Sequence, residues 1–332
     1  MIHILPQCPF KNRYTEDWID VWEREMSNLN IDYKIIGGKT PIESIGLFSN
    51  FKVAMNYELD QYKQLLKEKD IEEILFLDID FPGFNPSLVH LLKHINPDLK
   101  AYGYVHAGSW CNKDIFYNEK GKKELELSTF KLFDKLFVAT EYHRNKICNF
   151  FERNFVNMEV VGLPFYRQDV LNKVDRVKGW DEKKYIFFSG RKEQSDMENW
   201  RDTLKFIEKW SDFEVKTYDD IRTRKEYFDM LNNSKISISF KIEETFGLSQ
   251  LEAYSLKCVP LSPNHYSYKE IFPKKYLYYT QNNIQLFFQN NIQEFQILKE
   301  DEIDFEKYEN SISKIFNLIE ENKKCLSYIQ VV

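Results

Sequence analysis

Short apolar runs recur along the chain at intervals that helices fill, and this alternation restricts the fold more than any other feature. Residues 2–5, 32–36, 74–79, 99–105, 135–139 and 159–165 read as strands in the first half, and residues 184–188, 213–218, 235–240 and 276–279 in the second. The run Ile74-Leu-Phe-Leu-Asp-Ile79 is apolar on both faces, as a central parallel strand requires. Between the runs lie helical spacings: Trp18, Val21, Trp22 and Met26, with Thr15 or Asp17 as candidate cap; Leu59, Tyr62, Leu65 and Leu66; residues 87–94; and a segment for which Thr140 is the candidate cap. Strands alternating with helices predict an α/β chain of doubly wound parallel sheets. Ligands of such sheets sit outside the carboxyl ends of the strands, which directs attention to the loops 6–14, 78–83 and 106–110.

A chain of 332 residues is long enough for two domains with separate cores. The polar, poorly periodic stretch 166–182 is the candidate linker. It separates a first domain, 1–165, from a second, 183–303; the tail 304–332 carries Tyr308, Ile312, Ile315, Phe316 and Ile319 at helical spacing. A net charge of −6 gives no global basic character of the kind that marks nucleic-acid binding. No run of eighteen apolar residues predicts a membrane span, and the first residues lack a basic leader region. Five widely spaced cysteines read as free thiols of a reducing compartment, hence a cytoplasmic protein.

The stretch 241–260 carries the chemistry. It follows the strand 235–240 with Glu243, Glu244, Thr245, Phe246 and Gly247, then a helical segment from Leu248 that bears Glu252. The first amides of a helix have no internal partner and, with the helix dipole, attract phosphate oxygens. Gly247 leaves out a Cβ that blocks close approach of the backbone. An anion seat flanked by carboxylates suits a ligand that is part phosphate and part polyol, such as a nucleotide sugar. The competing reading is an ordinary helix start with solvated acids.

Glu244 and Glu252 enclose seven residues, and Glu244-Thr-Phe-Gly-Leu-Ser-Gln-Leu-Glu252-Ala resembles the E-x7-E signature of retaining GT-B glycosyltransferases, especially glycosyltransferase family 4. The continuation, residues 256–273, is similar to queuosine-tRNA mannosyltransferase-like proteins. The resemblance implies two Rossmann-like domains facing across a cleft. It places the acceptor side in the first and the nucleotide-sugar donor, with a UDP or GDP base, in the second, with a C-terminal helix crossing back to the first. It implies transfer with retention, without a metal or other cofactor, to an acceptor hydroxyl that a modified nucleobase of DNA or RNA could carry.

Residue by residue, the resemblance implies that Glu244 binds the transferred sugar and Glu252 the ribose. Gly190 and Arg191, helped by Lys192, meet the diphosphate together with Thr245, Phe246, Gly247 and Leu248. Tyr218 and Ile221 lie in the base loop. Glu244, Arg191 and His106 form the catalytic set, and His106, Asp78, Asp80 and Asn12 stand on the acceptor side. Two departures are visible. Asp196 stands where the family's later lysine is expected, and His106-Ala-Gly stands where the queuosine branch carries His-Glu-Asn. His106 closing a strand, and Asp78 and Asp80 forming a turn, are the plain structural readings. A glycan or small-molecule glycosyltransferase, and a GT-B protein that binds nucleotide sugars without turning them over, are the alternatives.

Overall fold

The structure, a computed structural model, describes residues 1–43, 51–81, 83, 87–112, 114, 116–190, 196–210, 213–280, 284, 288 and 302–329. The chain divides into two compact units, Met1–Pro164 with Asn310–Val332, and Phe165–Glu309.

The first unit is built on a six-stranded sheet in the order β2-β1-β3-β4-β5-β6. Its strands are β1 (Ile2–Leu5), β2 (Tyr33–Ile35), β3 (Glu73–Phe76), β4 (Lys100–Tyr104), β5 (Lys135–Val138) and β6 (Met158–Val160). Every pairing is parallel. Helices α1 (Trp18–Asn28), α2 (Phe51–Leu65), α3 (Ser87–Ile95), α4 (Lys122–Phe130) and α5 (Glu141–Phe150) connect the strands. One core joins Phe76, Ala101 and Leu136 of the sheet to Leu88, Val89 and Leu92 of α3 and to Phe130 of α4. Trp22 and Met26 of α1 are also buried, and the terminal helix Ser311–Ile329, which packs on α1, buries Ile312, Ile315, Phe316 and Ile319. Lys314 of that helix donates to the Val160 carbonyl at 2.6 Å, and Lys323 pairs with Glu73 at 2.9 Å.

The two candidate caps differ. Thr140 Oγ1 accepts the His143 amide at 3.2 Å and starts α5 as expected. Asp17 makes no capping bond to α1, and Thr15 Oγ1 instead accepts the Phe10 amide at 3.1 Å, bracing the loop after β1.

The second unit holds a five-stranded sheet in the order β11-β10-β9-β7-β8. Its strands are β7 (Tyr185–Phe188), β8 (Glu214–Thr217), β9 (Ser234–Ile238), β10 (Val259–Pro263) and β11 (Leu277–Tyr278), all paired in parallel. The stretch 166–182, expected as a linker, is folded: it forms α6 (Arg167–Leu171), with Val170 buried, and a 3₁₀ turn at Trp180–Glu182. Its polarity is used in anchoring. Asn232 accepts the Lys178 amide at 3.0 Å and donates to the Arg176 carbonyl at 2.8 Å. Helices α7 (Met197–Trp210), α8 (Arg224–Asn233), α9 (Leu248–Ser255) and α10 (Tyr268–Ile271) complete the layers, and helix Glu306–Glu309 ends the unit. Buried Lys183 donates to the Asn232 and Leu256 carbonyls, both at 2.9 Å, and so satisfies acceptors left over at the ends of α8 and α9.

Candidate functional site

In the second sheet β7 leads to β8 on one side, while β9, β10 and β11 lie on the other, so the strand order reverses between β7 and β9. This is where an open parallel sheet offers a ligand crevice. Buried Ser189 and Gly190 follow β7; Arg191 and Lys192, next in the chain, lie outside the described residues. The loop after β9 leads into α9. Gln250 of α9 donates to Ser189 Oγ at 2.6 Å and to Ser237 Oγ at 3.1 Å, tying the helix start to both strands.

Gly247 caps α9 at φ 93°, in the left-handed region where other residues are strained. A Cβ here would stand 2.9 Å from the ring of Tyr268, which is buried with its hydroxyl 2.8 Å from Ser239 Oγ. The need for glycine is therefore internal to the protein, besides any close approach of a ligand. Phe246 likewise turns its ring inward, against Tyr308 at 5.1 Å.

Glu244 is placed by the same turn. Its carboxylate pairs with Lys241 at 2.5 Å and accepts the Phe246 amide at 3.3 Å, and the Gly247 amide also bonds to it; its side chain is 11% exposed. Burial pushes the Glu244 carboxyl up, but Lys241 and the two amides outweigh burial and hold it below the usual carboxylate range. Two of the amides expected to face a phosphate are thus taken by Glu244. The amides of Gln250 and Leu251 return to the Gly247 carbonyl, which leaves those of Leu248 and Ser249 ahead of the first helical donor. Thr245 lies half-buried between Glu244 and Phe246.

Glu252, within α9, is 3% exposed. Oε1 accepts from Arg224 Nη2, and Oε2 accepts the Tyr227 hydroxyl at 2.8 Å. Tyr218 and Ile221 lie in and after a 3₁₀ turn that leads into α8, the helix carrying Arg224 and Tyr227. Sequence reasoning missed Lys241, Arg224 and Tyr227. The spacing of Lys241 and Glu244 was a readable signal; the pairing of Arg224 with Glu252 across 28 residues had none.

The first sheet reverses between β1 and β3. Asp78 and Asp80 follow β3, which ends at Phe76, so they sit in the loop at its carboxyl end. Gln7, after β1, donates to Asp78 Oδ2, and Asp78 Oδ1 accepts the Asp80 amide at 2.7 Å. Asp80 Oδ2 accepts the amides of His106 at 2.6 Å and Ala107 at 3.0 Å. The His106 ring lies 4.6 Å from Tyr104 and 5.7 Å from Trp18, with Nε2 at 2.9 Å from the Leu77 carbonyl. A carbonyl only accepts, so Nε2 carries the proton and Nδ1 is the lone-pair nitrogen. Burial lowers the His106 pKa to about 4, which keeps the ring neutral near pH 7. Asn12, at φ 61°, is exposed in the loop after β1 and donates its amide to Glu16 at 2.6 Å. Asp78, Asp80 and His106 are thus brought together; Gln7 is the member that sequence did not reveal.

Burial raises the Asp78 carboxyl to about 7 and Asp80 well above its ordinary value, with the charge of Asp78 adding to the rise at Asp80. A raised carboxyl binds its proton in the folded state at pH values where the unfolded chain has released it, so its contribution to stability is lost as pH rises from the ordinary carboxylate range through about 7. Buried His106 acts in the opposite sense below pH 6.5. Comparison of Asp78→Asn with the parent isolates the carboxyl. The parent is expected to lose melting temperature relative to Asp78→Asn between pH 5 and pH 7.5, and parallel curves would rule the raised carboxyl out.

Among the described residues no group of three or more His, Cys, Asp or Glu is arranged to hold a metal ion, and no helix is long and apolar enough to cross a membrane.

No protein-family model matches the chain. Solved structures match it over most of its length. Sucrose-phosphate synthase from Thermosynechococcus elongatus superposes with a TM-score of 0.65 at 8% identity, covering 96% of this chain and 98% of that one. The catalytic domain of starch synthase IV from Arabidopsis thaliana, bound to ADP and acarbose, gives 0.59 at 11% identity, with 94% and 99% coverage. Two parallel sheets flanked by helices, with these neighbours, define a GT-B fold. There is also a local sequence match: the chain is 44% identical over 59 residues to the tRNA-queuosine alpha-mannosyltransferase of Drosophila melanogaster. That match spans 18% of this chain and 16% of the fly enzyme.

Proposed function

We propose that this protein is a retaining glycosyltransferase that moves a sugar from a nucleotide-diphosphate sugar to an acceptor hydroxyl without a metal. The observation that carries the proposal is the start of α9 at the reversal point of the second sheet, where Glu244 and Gly247 precede the first helical amides and Glu252 follows within the helix. The Leu248 and Ser249 amides, with Gly190, Arg191 and Lys192 after β7, bind the diphosphate. Positive charge there stabilises the leaving group as the glycosidic bond breaks, which is electrostatic preorganisation. Glu244 is anchored by Lys241 and its own turn, and it holds hydroxyls of the transferred sugar. Glu252 takes the ribose, and Tyr218 and Ile221 the base. On the acceptor side we assign Asp78, Asp80, His106 and Asn12. Neutral His106 accepts or relays a hydroxyl proton through Nδ1. A modified nucleobase is the acceptor that the local match to the tRNA-modifying enzyme supports.

A panel of UDP-, GDP- and ADP-sugars tests the reading. One donor is expected to raise the melting temperature by mass action, by about 2.7 kcal/mol of stability at a hundredfold excess over Kd, and to be hydrolysed slowly without acceptor. A panel that leaves the melting curve unmoved overturns the reading. Stabilisation without hydrolysis or transfer favours the binding-protein alternative, to which Asp196 at the place of the family's lysine points.

A further inference from the structure

Resting on the ribose role of Glu252, we propose that Arg224 and Tyr227 are positioning residues that make the donor site selective for a ribose diol. Both stand on the first turns of α8, three residues apart and on one face. The start of that helix is fixed by a capping box: Thr223 Oγ1 accepts the Glu226 amide at 3.1 Å, and Glu226 Oε2 accepts the amides of Thr223 at 3.1 Å and Arg222 at 2.7 Å. The Arg224 guanidinium lies 4.5 Å from the centre of the Phe228 ring and 5.3 Å from that of Tyr227, so its direction is set by packing as well as charge.

From this platform Arg224 takes one oxygen of Glu252 and Tyr227 the other. A carboxylate has about four acceptor positions, two on each oxygen. The two protein donors fill one on each, leaving one on each oxygen for a pair of neighbouring hydroxyls. The Glu252 side chain is 4% exposed and that of Arg224 23%, so the pair is buried at the carboxylate and open at the guanidinium. Arg224 also cancels the charge of Glu252, so a diphosphate bound nearby meets no uncompensated anion. A carboxylate held in one orientation before binding loses no rotamer freedom when the diol arrives.

The test measures binding of ADP, GDP and UDP, and of their 2′,3′-dideoxy forms, by calorimetry on the full chain. The parent is expected to prefer the ribose form of its nucleotide by about 10–100-fold, the worth of one or two hydrogen bonds to a charged group. Arg224→Met, which keeps the packing on Phe228, is expected to cut that preference to below about threefold, with dideoxy affinity changed by less than about threefold. Arg224→Lys is expected to restore part of it. Tyr227→Phe removes a single hydroxyl and reads the same ratio should Arg224→Met fold poorly. An unchanged preference in Arg224→Met and Tyr227→Phe, alongside its loss in Glu252→Gln, overturns the positioning role and leaves Glu252 in place. A parent without any preference overturns the ribose role of Glu252 and this proposal with it.

Discussion

Glu244→Ala is expected to lower turnover of the nucleotide sugar by about 10²–10³-fold, the loss typical of one preorganised polar group at a reacting centre. Affinity for the bare nucleoside diphosphate, which lacks the sugar, is expected to change little. The split follows from where Glu244 sits. Its carboxylate is fixed by Lys241 and the amides of Phe246 and Gly247, and its pKa lies below the usual range, so the anion persists into mildly acidic solution. Under the proposed function, an anchored anion holds sugar hydroxyls at no reorganisation cost during reaction, while the diphosphate relies on the helix amides and the cations after β7. Steady-state hydrolysis of the best donor, with calorimetry of its diphosphate, measures both quantities. Turnover within tenfold of the parent would remove Glu244 from the chemistry. An equal fall in diphosphate affinity would show that the substitution had only disordered the turn.

Gly247→Val carries the largest expected effect on stability. The left-handed backbone at φ 93° costs a residue with a Cβ about 1–2 kcal/mol. Overpacking against Tyr268, whose ring would lie 2.9 Å from the new Cβ, adds about 1–3 kcal/mol. Relief by movement is limited, since Tyr268 is fully buried and its hydroxyl is tied to Ser239. The sum, about 2–5 kcal/mol, corresponds to a fall in melting temperature on the order of 10 °C for a unit of this size. Gly247→Ala is expected to fall in the same direction by less, because it adds a single carbon. Donor binding is expected to be lost in the valine variant, as the Leu248 and Ser249 amides are re-aimed. A valine variant melting within 2 °C of the parent would contradict the account of this turn.

The two variants separate effects that share one loop. Glu244→Ala removes a group from the site without placing a Cβ in the left-handed cap. Gly247→Val leaves every polar group in place and changes the backbone that aims them. If the proposed function holds, the first is read in turnover and the second in stability and affinity together.

Local features of the chain were open to reading before any coordinates. Alternating apolar runs give two parallel sheets because a strand buried on both faces needs apolar residues at consecutive positions. Thr140 caps α5 because a hydroxyl before a helix satisfies an amide that has no partner. The spacing of Glu244, Gly247 and Glu252 was legible because all three belong to one loop and one helix. Partnerships across the fold were decided by strand order instead. Gln7 meets Asp78 over 71 residues because β1 and β3 are neighbours at the reversal of the first sheet. Arg224 meets Glu252 because α8 and α9 pack against each other. The polar stretch 166–182 is folded because Asn232, distant in sequence, supplies partners for its backbone. Periodicity reports which face of an element is buried; which side chains then share that burial is settled only when the strands take their places.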